Sequence, residues 1–429
     1  MLGDAVHVLR RLRNDPQATW KVAEQREAVI TAFQLRRDFI CGMRTSAGKS
    51  MVVTIPVLFE HGYTFLLSGL RALIKDWLRR LDAMGIKYEH YQGSKSGYKI
   101  QGKHNLIISS LDITQGPKWE EAITDLIRRN NRPLFRFAID ESQLTMMDSK
   151  WRNALDNIFR LRSIAPCQII LLSANVPPVA IPFLKDKFQL TDPIILRTHS
   201  CRTEIRYIIE SKVNHTREAL SRVKALINQH MAGSDPSQDR YMIYVQFLAD
   251  GEFYAKELGL EFFHGVTNKN DLTEDDQDAI YNRWCSGQHK GLITTNALSA
   301  GNDYSHVRLV IHIGSPGTMV GWYQESSRAG RDERIATAVV IPTSSDFFQT
   351  ESTEEWRRIN GVKEMQVLLE MTSTLPLNTK VRCVRFRLTR FNDGSHFKDG
   401  SGGGGFTCIE VENAQLCCFC LERQSSFNC

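Results

Sequence analysis

The chain has 429 residues, 42% of them hydrophobic and 24% charged, which excludes wholesale disorder, a collagen-like repeat and a disulfide-stapled miniprotein and leaves room for two or three domains. Lys plus Arg exceed Asp plus Glu by 54 to 48, an excess compatible with a polyanionic partner but too small to define one. The most apolar long stretch, 167–184, carries Pro177, Pro178 and Pro182 together with Gln168 and Asn175, so it does not read as a membrane span. Residues 1–15 lack an apolar run before a small-residue cleavage site. A reducing compartment is therefore expected, with the ten cysteines as thiols or metal ligands rather than bridges.

Strand-like apolar runs occur at 39–41, 64–68, 105–110, 135–140 and 168–174, separated by segments with helical spacing such as 71–84 and 119–129. That alternation predicts a parallel sheet covered by helices. The pattern repeats with runs at 241–247, 290–297, 307–314 and 337–342, and the join between the two units is expected near 198–203. From about 351 the chain changes to a helical segment and then a basic, Cys-rich tail interrupted by a glycine-rich stretch at 399–405. The expected fold class is α/β, with parallel-sheet domains at 1–200 and 201–350 followed by a small helical and Cys-rich module at 351–429.

Chemistry enters after the first strand, where Thr45, Ser46, Ala47, Gly48, Lys49 and Ser50 read as a small-residue loop closing in Gly-Lys-Ser at a helix start. Backbone amides of such a loop surround phosphates; Lys49 would reach the β and γ phosphates and Ser50 would hold Mg²⁺. The usual first glycine falls on Met43, and a chance Gly-Lys-Ser on a solvated loop is the bland alternative. Asp140 and Glu141 end the strand-like run 135–140, where a parallel strand would deliver them to the same sheet edge. There Asp140 could coordinate Mg²⁺ and Glu141 could position or activate water; two surface carboxylates are the alternative. In the second unit Tyr323, Gln324 and Glu325 precede SSRAGRD, with Arg328 and Arg331 three apart on an expected helix face. Arginines of that kind stabilise a transferring phosphoryl group, or they form an ordinary basic face.

In the tail, Cys417 and Cys420 form a C-x-x-C pair with Cys408 and Cys383 upstream, a spacing that suits tetrahedral Zn²⁺ unless the tail is disordered. Lys380, Arg382, Arg385, Arg387 and Arg390 fall within eleven residues without an acid, a density suited to nucleic-acid phosphates or to the solvated face of a strand.

In this order the segments resemble a superfamily 2 helicase, more narrowly a short, divergent, fungal-like RecQ-family DNA helicase, over about residues 20–420. WKVAEQREAV resembles the adenine-reading motif with Gln25 as base reader, and TSAGKS resembles Walker A. LLSGLRALIKDW is similar to a family segment in which Gly69 replaces proline and Trp77 replaces glutamine. IDESQ resembles Asp-Glu-Ala-His with Gln143 for histidine, and LSAN resembles the coupling motif with Asn175 for threonine. ITTNALSAGND resembles motif V, retaining Thr295, Ala297, Gly301 and Asp303; YQESSRAGRD resembles motif VI, with Ser327 for glycine.

The resemblance implies ATP and Mg²⁺ between two RecA-like domains, with Asp303 on the nucleotide side and Gln324 in the catalytic set, driving 3′ to 5′ travel on single-stranded DNA with unwinding. It also implies a zinc module, a place in repair or recombination, and a nuclear location. Trp151 and Arg152 stand where the family has an aromatic-rich DNA-coupling loop, although a buried Trp opening a helix reads equally well. Nine residues follow Cys420, so the winged-helix domain common in the family is expected from a protein partner, if at all. The rival readings are a degenerate nucleic-acid-binding module without unwinding, kept open by Met43, Gln143, Asn175 and Ser327, and an RNA helicase of the same superfamily.

Overall fold

The computed structural model describes residues 2–44, 47–69, 71–93, 99–115, 117–147, 158–159, 162, 165–265, 272–298, 304–344, 353–370, 382–394 and 405–427. It divides into two compact units, Met1–His199 and Ser200–Cys429.

In the first unit seven strands form one sheet: β1 (Phe39–Gly42), β2 (Tyr63–Ser68), β3 (Glu89–Tyr91), β4 (Leu106–Ser110), β5 (Leu134–Asp140), β6 (Gln168–Ser173) and β7 (Ile194–Arg197). Their order is β3-β4-β2-β5-β6-β1-β7, and every pair is parallel. Helices Arg71–Ala83 and Pro117–Asn130 occupy the segments read as helical. All six residues of β2 and of β6 are buried, because a parallel strand covered on both faces has no solvent side and shows a continuous apolar run instead of alternation.

The second unit repeats the architecture with β8 (Ile205–Ile209), β9 (Arg240–Val245), β10 (Glu261–Phe263), β11 (Gly291–Thr294), β12 (Val307–Ile313) and β13 (Ala336–Ile341). These strands, all parallel, run in the order β10-β11-β9-β12-β13-β8. The segment expected as a separate module at 351–429 belongs to this unit. Its Met365, Leu368, Val384, Phe386 and Leu388 pack in one buried cluster with Tyr207, Trp322 and Val310. So few apolar residues could not close a core alone, and they complete the core of the larger sheet instead. Among the described residues no helix is long and apolar enough to cross a membrane.

Candidate functional site

The turn after β1 is built around a buried strand end. Met43 donates its backbone N–H to the carbonyl of Ser173 at 3.0 Å, and Ser142, just past β5, donates to the carbonyl of Leu172 at 2.9 Å. The end of β6 thus anchors both the phosphate-loop candidate and the carboxylate pair. Met43, standing where glycine is usual, turns its side chain into the core, fully buried, and leaves its carbonyl to the loop, where Lys49 Nζ donates to it at 3.0 Å. Gly48 adopts φ +84°, a left-handed conformation that favours glycine, and its bare Cα lets the Gln25 side-chain amide approach the loop closely. Gln25 itself is buried: its Oε1 accepts from the Lys21 N–H at 2.8 Å and its Nε2 donates to the Gly48 carbonyl at 3.1 Å. Ala47 is buried, and Ser50 opens the helix Ser50–Val57. Thr45 and Ser46 lie outside the described residues.

Asp140 closes β5 and is 7% exposed. The indole N–H of Trp77 donates to its Oδ2 at 2.6 Å, a bond that sequence reasoning missed although it singled out Trp77 as a departure. Glu141 follows in the left-handed region at φ +49°, and its carboxylate accepts from the Gln143 side-chain amide. Burial first, and then the adjoining Glu141 carboxylate, push the Asp140 carboxyl up to about 6, against the pull of the Trp77 N–H and the Lys49 ammonium. An ammonium beside two carboxylates at the C-terminal edge of a parallel sheet is a donor set suited to a phosphate with a divalent cation.

The raised proton affinity of Asp140 makes stability depend on pH. A carboxyl with a higher pKa folded than unfolded binds its proton more tightly in the folded state, so stability falls as pH rises from about 4 through about 6. Asp140→Asn keeps an acceptor for Trp77 and removes the buried charge. In metal- and nucleotide-free protein it should raise stability at pH 7.5 by up to about 3 kcal/mol, a gain that vanishes below pH 4. Melting curves at the two pH values check this, and an unchanged or lower melting temperature at pH 7.5 would contradict it.

In the second unit the helix Met319–Ser326, capped by the Thr318 side chain, carries half-buried Gln324. Arg328 and Arg331 do not share the helix face that their spacing predicts. The helix stops at Ser326, and the two arginines sit on successive turns in which Gly330 takes φ +63° and Glu333 φ +65°. Arg328 is buried and partners the Tyr244 hydroxyl, opposing the burial that pushes that phenol above its usual range. The Tyr244 ring stacks on His312 at 4.9 Å between centroids, and His312 Nε2 lies 2.9 Å from Glu325 Oε2. Asp303, Trp151 and Arg152 lie outside the described residues.

The ligand atoms of Cys383, Cys408, Cys417 and Cys420 all lie within 4.8 Å of one another, and all four residues are buried. Sγ of Cys383 is 3.6 Å from that of Cys408 and 3.9 Å from that of Cys417. Zinc–thiolate bonds of about 2.3 Å in a tetrahedron put sulfurs about 3.8 Å apart, so the donor set fits Zn²⁺. Backbone N–H groups of Cys408 and Cys417 point at the sulfurs of Cys383 and Cys408 at 3.4 and 3.3 Å. Cys418 turns away toward the backbone of Ile209, and burial pushes its thiol up to about 12.

The basic strip is corrected by the structure. Residues Val384–Asp393 form a helix, not a strand, and Arg385 is fully buried. Its guanidinium donates to the carbonyls of Arg202 at 2.5 Å, Ile205 at 2.7 Å and Gln415 at 3.0 Å, so it is not available to a DNA phosphate. Arg382 lies over the Phe419 ring at 4.9 Å and 3.9 Å from a Glu422 oxygen, likewise an internal contact. Arg387 is half-buried and Arg390 exposed, while Lys380 is outside the described residues.

These features define a tandem RecA-like pair. A DEAD/DEAH box helicase model matches residues 23–181, and a helicase conserved C-terminal domain model matches 221–333. The chain is 24% identical to a putative ATP-dependent DNA helicase Q1 of Caenorhabditis briggsae over 76% of its own length and 54% of that protein. It is 27% identical to the RecQ-like DNA helicase BLM of Xenopus laevis over 74% of its length and 24% of that protein. It thus spans about half, or less, of the curated relatives it matches. In fold it is similar to S. cerevisiae Dbp5 bound to RNA and ADP BeF3, with a TM-score of 0.55, 15% identity, and coverage of 82% of this chain and 92% of that one. The chain thus matches both helicase domain models and is similar to RecQ-family DNA helicases.

Proposed function

We propose that this protein is an ATP-dependent DNA helicase or translocase in which hydrolysis drives 3′ to 5′ movement on single-stranded DNA. The observation that carries the reading is the convergence of Lys49 with Asp140 and Glu141 on turns anchored to the end of one strand, β6, with the lysine charge acting on Asp140. Lys49 and the loop residues Thr45, Ser46, Ala47, Gly48 and Ser50 hold the ATP phosphates, with Mg²⁺ on Ser50 and Asp140, and Glu141 orients the attacking water. Gln25 leaves the Gly48 carbonyl to read the adenine, Asp303 supports the nucleotide, and Gln324, Arg328 and Arg331 act on the charge that develops in phosphoryl transfer. Arg387, with Lys380, Trp151 and Arg152, contacts the nucleic acid. Zn²⁺ on Cys383, Cys408, Cys417 and Cys420 is structural: when bound it ties the tail into the second unit.

DNA as the substrate is supported by the DNA helicase names of the relatives, and the 3′ to 5′ direction by the RecQ resemblance of motifs V and VI. Such an activity agrees with work in the nucleus on repair or recombination intermediates. The test is ATP turnover with single-stranded DNA, with RNA and with neither, together with strand displacement from 3′- and 5′-tailed duplexes. Stimulation by DNA well above that by RNA, and displacement from the 3′-tailed duplex, are expected. Turnover indifferent to DNA would leave a binding module, and preference for RNA or a 5′ tail would overturn the substrate or the direction.

A further inference from the structure

Arg202 lies outside every motif discussed so far, yet its side chain is 2% exposed and makes four polar contacts. One terminal nitrogen donates to the carbonyl of Ser327 at 3.1 Å; the other donates to those of Ala329 at 3.0 Å and Gly330 at 3.1 Å. Nε pairs with Glu204 at 2.5 Å. The three carbonyls bracket Arg328 and lead directly into Arg331. Turns that follow a helix end leave carbonyls without helical partners, and a buried one must be met from elsewhere. Here a single rigid guanidinium fork meets three, a geometry that a lysine cannot reproduce.

The same turns are held from their other side. Gly330 donates its N–H to the carbonyl of Val307 at 3.0 Å, and a Cβ on Gly330 would come within 3.0 Å of Glu204 Cγ, so the Arg202–Glu204 pair packs directly against the turn. Arg202 is fixed in turn, because Arg385 donates to its carbonyl at 2.5 Å. We infer that Arg202 is a positioning residue for phosphoryl transfer: it sets the backbone from which Arg328 and Arg331 project, and Arg385 sets Arg202. This rests on the reading of Arg328 and Arg331 given above. Charge stabilisation by arginine depends on placement to within a fraction of an ångström, so loosening the turn weakens turnover while the phosphate loop still binds ATP.

The experiment is a double-mutant cycle on the full chain, with Arg202→Lys and Arg328→Ala alone and combined, read by ATP turnover at saturating single-stranded DNA and by circular dichroism. Arg202→Lys is expected to lower kcat about tenfold or more with KM for ATP changed by less than about threefold. In the Arg328→Ala background the same substitution should cost a clearly smaller factor, because the route through Arg328 is gone and only that through Arg331 is left. Arg385→Lys, one bond further back, should lower kcat in the same sense by a smaller factor, and it carries the cycle if Arg202→Lys does not fold. Wild-type kcat in the folded Arg202→Lys protein, or an equal loss in both backgrounds, overturns the inference about Arg202. Undiminished turnover in Arg328→Ala overturns the underlying reading of the arginines instead.

Discussion

Lys49→Ala should lower DNA-stimulated ATP turnover by about a hundredfold or more, the scale at which removal of one preorganised electrostatic group acts on a charged transition state. The Lys49 ammonium rests on the Met43 carbonyl at 3.0 Å, half-buried, and close enough to Asp140 to lower that carboxyl's proton affinity. A polyphosphate entering the loop offers it a far stronger partner than a neutral carbonyl, so the side chain is poised rather than structural. The fold should therefore survive the substitution, with the melting temperature little changed. Lys49→Arg should fail to rescue, because a broad planar fork does not replace a compact point charge among phosphates. Steady-state turnover with and without single-stranded DNA checks the expectation. Turnover of wild-type size in Lys49→Ala would mean that the loop does not act on phosphates.

Loss of metal should be the largest stability effect. One tightly bound zinc per chain is expected, and Cys417→Ser or Cys420→Ser should cut that below a tenth. Structural zinc contributes apparent binding energies of about 10–16 kcal/mol in small modules, and loss of even a third of that would lower the melting temperature by about 7–20 °C in a unit of this size. The damage should fall within Ser200–Cys429, because the four cysteines share a buried cluster with Tyr207, Trp322, Val384 and Phe419. Cys418→Ser is the contrast: its thiol faces Ile209 rather than the other sulfurs, so the metal should stay. Elemental analysis, melting curves and hydrogen exchange read the wild-type protein and the three variants. Folded wild-type protein with less than a tenth of a zinc per chain, or loss of metal from Cys418→Ser, would refute the assignment.

Among the described residues, the nine strands legible as apolar runs are all interior to their sheets. The four described strands that escaped notice, β3, β7, β8 and β10, stand at the edges of the sheets that the described residues form. An interior parallel strand is covered on both faces and flanked on both sides, so burial writes a continuous apolar signal into it, as in YTFLLS of β2 and QIILLS of β6. An edge strand has one neighbour and can be short and partly polar, as EHY of β3 and EFF of β10 are. Helices could be read for a related reason, since Arg71–Ala83 and Pro117–Asn130 each present one apolar stripe to the sheet.

By itself the sequence determined the alternation of strands and helices, the order of the chemical motifs, the family they resemble and the four clustered cysteines, because each depends on neighbours a few residues apart or on order along the chain. Only the tertiary structure decided what individual polar side chains do. Arg385 sits in a dense basic run, yet its carbonyl partners include Arg202 and Ile205, about 180 residues earlier, which turns a DNA-contact candidate into an internal brace. Met43 looked like a defect in the phosphate loop until its side chain proved to belong to the core, and Trp77 proved to be the donor that meets Asp140. A local pattern records which face of an element is apolar. The partner of a buried charge is chosen by how distant segments pack, and spacing carries no trace of that choice.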